Sequence, residues 1–176
     1  MNKIEITDNE INLRNNAVIL DIKVNKLLIN IEGNVLINEI DKKDEEKEIT
    51  VNVLPGSSLI YNRFMIHNKT NSKFFFKQDK LSTLEFNYAF ISHECCNLVI
   101  DNSINDDSNN TFVNIRVIKD SNSTCNISNN ITGDIKIIND DELDDDKKKE
   151  FLNSIINSSE DILEEIRNRE EEEYEK

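Results

Sequence analysis

Glycine occurs three times in this chain of 176 residues, proline once, alanine twice and tryptophan not at all. Three glycines cannot form a phosphate-cradling loop, which needs several residues at backbone angles that only glycine reaches freely. Nucleotide hydrolysis is therefore not expected. Two alanines stand against 26 isoleucines and 28 asparagines, a profile that reads as drift toward AT-rich codons. The asparagine count is accordingly set aside as a functional signal. It still acts physically, because isoleucine favours strands and asparagine tolerates the left-handed conformation of turns. No apolar run approaches the roughly 18 residues of a membrane-spanning helix. The first residues, "MNKIEITDNEINLRNN", lack the basic start and apolar core of an export signal, so a cytoplasmic location is expected. Three cysteines, an odd number, agree with free thiols in a reducing compartment. The six Asn-x-Ser/Thr sites, at Asn68, Asn109, Asn122, Asn126, Asn130 and Asn157, are read as chance in so asparagine-rich a chain.

Positive charge is also scarce, and the net charge is −14. Residues 1–140 hold 20 acids and 15 bases, whereas residues 141–176 hold 15 acids and 6 bases. An acidic surface repels phosphate backbones and anionic headgroups, which argues against nucleic acid and membranes as partners.

What the chain does hold is strands. Apolar residues alternate with polar ones at Leu20, Ile22 and Val24, at Leu27, Ile29 and Ile31, and at Ile49, Val51 and Val53. The same pattern returns at Leu84, Phe86, Tyr88 and Phe90, at Val113, Ile115 and Val117, and at Ile135 and Ile137. Period two places one apolar row on one face of a pleated ribbon. Asn/Asp/Ser clusters separate these segments, and "LPGSS" is the one Pro-Gly turn. No helical pattern lies between the strands, which excludes a βαβ sheet. An all-β domain over residues 1–139 is expected, built as a β-solenoid of stacked short strands or, alternatively, as an antiparallel β-sandwich. Two internal echoes favour the solenoid: "LLINIEG" with "VLINEID", and "CNLVIDNSINDD" with "CNISNNITGD". Residues 140–176 form an acidic helical segment, with Phe151, Ile155, Ile162 and Ile166 along one stripe and Leu152, Ile156 and Leu163 beside it. Ser158 with Asp161 suggests a second helix start after a break near Asn157. This stripe either caps the open end of the core or docks on a partner.

Candidate chemistry centres on "SHECC". On a strand, His93 and Cys95 share one face and Cys96 takes the other. His93 and Cys95 could supply half of a metal site, and Cys125 and His67 are the remaining soft ligands. The competing reading has a buried structural cysteine beside a surface histidine. Glu94 and the overall negative charge argue against an activated thiol nucleophile. The acidic runs lack the ordered oxygen cage and glycine of a calcium loop. If Phe74 and Phe76 face inward, Phe75 faces out and marks a contact surface; the alternative is a middle strand buried on both faces. No catalytic residue is assigned, and the chain reads as a non-catalytic scaffold or partner-binding protein.

The run "LPGSSLIYN … KLSTLEFNYAFISHECCNLVID", continued by "NNTFVNIRVIKDSNSTCNISNNITGDI", resembles the core of the SufB/SufD family of iron–sulfur cluster assembly proteins. In that family a turn, small residues and a strand recur in each coil, and a short helical segment follows the solenoid. The resemblance covers about residues 25–138 of a chain shorter than most family members, and it rests on rhythm. It implies a reduced scaffold subunit with an ATPase of the ABC type, or a homologous solenoid, as partner. It also implies an iron–sulfur cluster or its precursors as cargo, with Cys95, Cys96 and Cys125 as the thiols. The alternative is an acidic chaperone-like module that binds basic partners through its C-terminal tail.

Overall fold

A computed structural model describes residues 1–42, 45–104, 109–130 and 133–155, without the side chains of residues 40–42, 45, 67 and 68. Its strands are β1 (Asn2–Ile6), β2 (Glu10–Arg14), β3 (Ala17–Ile22), β4 (Lys26–Glu32), β5 (Asn34–Lys42) and β6 (Glu45–Val53). They continue with β7 (Ser58–Gln78), β8 (Thr83–Ile104), β9 (Asn110–Lys119), β10 (Thr124–Asn129) and β11 (Gly133–Asn139). A 3-10 turn, Asp140–Glu142, leads to helix α1 (Asp145–Asn153). Every strand pair is parallel, so the fold is a parallel β-solenoid and not the antiparallel sandwich. The crossover between parallel strands needs no helix here, because the strand of the facing half provides it.

The pairing runs in two ladders. One stacks β1, β3, β5, the first part of β7, the first part of β8, β9 and β11. The other stacks β2, β4, β6 and the second parts of β7 and β8, and ends with β10. We call these the first and second halves. Strands β7 and β8 are long because each bends from one half to the other. Their register slips at that corner, between His67 and Lys69.

Asparagine turns out to be a building element of this stack. Asn114 donates to Asn87 (2.9 Å), Asn87 to Asn62 (2.8 Å) and Asn62 to Asn38 (3.1 Å). On the second half Asn52 donates to Asn30 and Asn30 to Asn12, each at 2.9 Å. Parallel in-register pairing sets identical amides one strand spacing apart. Each NH2 then meets the carbonyl of its neighbour.

The same ladders show that the coils widen along the axis. Asn12 and Asn30 lie 18 residues apart in sequence, and Asn30 and Asn52 lie 22 apart. The later steps, Asn38 to Asn62, Asn62 to Asn87 and Asn87 to Asn114, take 24, 25 and 27 residues. The narrow coils enclose aliphatic side chains such as Val18, Leu20, Ile29 and Ile31, all buried. The wide coils enclose Tyr61, Phe74, Phe76, Phe86, Tyr88 and Phe90. Their rings meet at centroid distances from 4.6 Å (Tyr88–Phe90) to 6.2 Å, mostly edge-on or tilted, as aromatic quadrupoles prefer, while Phe74 and Phe76 lie nearly parallel at 6.2 Å.

The corner leading from the second half into the first is also repetitive. Asn15 (φ 42°), Gly33 (φ +74°), Gly56 (φ +69°) and Leu81 (φ 60°) occupy it in successive coils, all left-handed. A Cβ on Gly33 would come within 1.9 Å of Asn15 Oδ1.

Helix α1 starts at Asp144, whose side chain accepts from the Lys147 backbone NH at 2.9 Å. It neither caps the core nor stands free. Leu152 and Ile155 bury themselves on the outer face of the first half against Phe64, Ala89 and Ile118. Arg116 ties this contact down: its guanidinium reaches Ser154 Oγ at 3.1 Å and Asp134 Oδ2 at 2.7 Å. Ile156, Asn157, Ser158, Asp161, Ile162, Leu163 and Ile166 lie outside the described residues.

Candidate functional site at the open end

The two ends of a solenoid are its exposed edges. At the C-terminal end, among the described residues, β10 pairs with β8 alone and β11 with β9 alone. The outer edge of each strand has no described strand beside it. The side chains turned inward from these strands, Cys125, Ile127, Ile135 and Ile137, have no further coil beneath them among the described residues. With Leu98 they line an open groove of about 480 Å³. Ile137 remains 40% exposed. Natural edge strands are usually blunted by charge, proline or bulges. In this protein of net charge −14, β10 carries no charged residue and β11 carries one acid and one base, Asp134 and Lys136.

Two of the three thiols meet at this end. The register places Cys125 directly over Cys96, and this is the stacking behind the "CNLVID … CNISNN" echo. The other echo joins β4 to β5, which lie on opposite halves. Cys96 is fully buried and Cys125 half-buried, both facing the interior. The Cys96 S–H donates to Cys125 sulfur. That bond and burial push the Cys96 pKa upward. The Cys125 pKa falls, chiefly because it accepts this bond and also because the Lys119 charge is near. Cys95 pairs in register with Thr124 and faces away from the interior, half-buried.

The alternation slips where β8 turns the corner, so His93 and Glu94 are exposed in succession. His93 Nδ1 lies 3.4 Å from Asp120 Oδ2. Both line a second groove, of about 580 Å³, with Glu94, Asp140 and Asp141. Asp140 is held by Lys148 at 2.6 Å. Among the described residues, no group of three or more His, Cys, Asp and Glu side chains is placed to hold a metal ion. The side chain of His67 lies outside the described set.

The strongest polar constellation is one that the sequence reading missed. Glu39 and Arg63 point into the interior of the widening coils, in register with each other. Arg63 Nε donates to Glu39 Oε1 at 2.7 Å and Nη2 to Oε2 at 3.0 Å. Tyr61 donates to Glu39 at 2.5 Å, and Arg63 Nη1 donates to Tyr88 oxygen at 2.6 Å. The guanidinium carbon lies 4.8 Å from the Tyr88 ring centre and 5.0 Å from that of Phe74. Arg63 has no exposed surface and Glu39 only 2%. The pair has no route to a substrate, and its role is to satisfy charges inside the core. The available signal was two opposite charges at the apolar phase of successive strands, in "VLINEID" and "LIYNRFM".

Phe75 sits half-exposed between the buried Phe74 and Phe76. Among the described residues no helix is long and apolar enough to cross a membrane. Set against known proteins, the chain matches no family model, no curated protein and no solved structure.

Proposed function

We propose that the chain is a non-catalytic scaffold that joins a second copy of itself, or a homologous solenoid, through its open C-terminal end. The observation that supports this reading is the pair of nearly uncharged edge strands around an apolar groove on a strongly acidic molecule. Two copies repel everywhere else, so association concentrates where the charge is absent. The free edges of β10 and β11 add strands from the partner, and the groove buries its apolar residues. Sedimentation across a concentration series tests it. The wild type should associate, and Ile135→Lys should be monomeric with an unchanged circular dichroism spectrum. A wild type that is monomeric at every concentration sinks the self-association reading.

The narrower reading, a reduced SufB/SufD-type subunit, draws on the solenoid and on the two thiols at that end. A cluster held by one chain does not fit these donors. Iron–sulfur clusters take about four thiolates, whereas Cys96 and Cys125 make two and Cys95 faces the other way. Anaerobic incubation with iron and sulfide should therefore give no visible-range chromophore on the monomer. A chromophore that Cys125→Ser abolishes would favour assembly of a cluster between copies.

A further inference from the structure

We propose that Cys96 and Cys125 form a redox-responsive dithiol that closes to an intrachain disulfide and pins β10, the last strand of the second half, to β8. The inference stands on the register of these strands and does not depend on the self-association reading. Parallel neighbours lie about 4.8 Å apart, inside the Cα separation of roughly 4.4–6.8 Å that disulfides span. Both side chains point to the same interior face, one directly over the other. The third cysteine serves as an internal control: Cys95 is on the adjacent position of β8 but faces outward, away from Cys125.

The two thiols have different tasks. Cys125 lines the open groove, so a small oxidant reaches it, and the hydrogen bond from Cys96 with the nearby Lys119 charge favours its thiolate. Cys96 is enclosed and keeps its proton, which fits the resolving thiol. With a low-molecular-weight disulfide such as oxidised glutathione, Cys125 thiolate attacks one sulfur and releases one glutathione thiolate. The Cys96 sulfur then attacks Cys125 sulfur, passes its proton to the departing second glutathione, and the protein disulfide forms. Two protein thiols lose two electrons and two protons, and one glutathione disulfide becomes two glutathione thiols. The closed loop ties down an edge strand that otherwise has one neighbour.

The experiment incubates the native protein with oxidised glutathione, then blocks remaining thiols and maps peptides by mass spectrometry. Expected is a crosslink between the Cys96 and Cys125 peptides in wild type and in Cys95→Ser alike. Cys96→Ser should instead keep a stable glutathione adduct on Cys125. Hydrogen exchange of the β10 amides should slow in the oxidised wild type. Glutathione confined to Cys95, a crosslink that includes Cys95, or reaction of Cys96 and Cys125 only after denaturation would overturn the proposal.

Discussion

The two ends of this solenoid solve the same problem differently. The N-terminal end tapers: β1 and β2 have 5 residues each, and β3 follows β1 as its stacking neighbour after a single short strand. Short strands bring the corners together. The inward residues Ile6 and Leu13 are buried at 4% and 7% exposure in the first described coil, and Ile4 and Ile11 are partly covered beside them. At the C-terminal end the last step of the second half, Asn97 to Asn126, takes 29 residues, while the last step of the first half, Ile115 onto Ile135, is shorter. None of its inward residues is fully buried: Cys125, Ile127 and Ile135 are partly covered, and Ile137 is 40% exposed. Short coils cover their inward residues closely, whereas the long last coil of the second half leaves a groove beside β10 and β11.

Widening begins where Glu39 and Arg63 enter the core, and this pair gives the largest expected effect. Arg63→Leu leaves a buried carboxylate without its cation and should cost about 3–5 kcal/mol in chemical denaturation. Replacing both, with Glu39→Leu and Arg63→Met, should recover most of that loss, since well-packed apolar groups often match a buried ion pair. If the double variant is as unstable as the single one, the pair supports the wide coils by something other than charge balance.

The ends themselves are compared by truncation. Leu20→Ala, inside the narrow coils, should cost about 2–5 kcal/mol because the cavity cannot collapse. Ile127→Ala, beside the open groove, should cost roughly 1–2 kcal/mol, because solvent already reaches its surroundings. Equal losses at low protein concentration would show that the open end is closed in solution. The ladder gives a smaller effect. Asn62→Ala strands the carbonyl of Asn38 and the amide of Asn87, both nearly buried, and should cost about 1–3 kcal/mol. Asn12, at the exposed start of the other ladder, should be nearly neutral to the same change.

These residues also show what the sequence made legible. The inward rows at Leu27, Ile29 and Ile31 or at Leu84, Phe86 and Tyr88 could be read directly, because period two survives any stacking partner. The solenoid itself was visible in the "CNLVID … CNISNN" echo, which is a true coil-on-coil register. The asparagines were not, since a ladder exists only once the register is known and composition alone suggests drift. The coil spacings of Asn38, Asn62, Asn87 and Asn114 vary too much to stand out as a repeat. The alternation read around His93 and Cys95 is interrupted for a local reason: a strand that bends between two halves breaks its own period at the corner. The meeting of Cys96 with Cys125 required knowing that β10 lies on β8, with the whole of β9 between them in the chain.

The smallest expected effect concerns the corner that all coils share. The narrow coils fill its left-handed position with Asn15 and Gly33, residues that accept positive φ. The wide coils use Gly56 and then Leu81, whose side chain is 69% exposed at a φ of 60°. Left-handed backbone costs an ordinary L-residue roughly 1–2 kcal/mol. Leu81→Gly removes that strain but adds about 0.5–1 kcal/mol of unfolded-state entropy. The net should be a stabilisation below about 1 kcal/mol, seen as a small rise in Tm. Leu81→Asn, which tolerates the conformation without the entropy of glycine, should do at least as well. Gly33→Ala is the opposite case: the same left-handed region, but with Asn15 Oδ1 in the way, so it should destabilise. If Leu81→Gly lowers the Tm instead, the interactions of the leucine outweigh its backbone strain. The wide half would then differ from the narrow one in its corner as well as in its end.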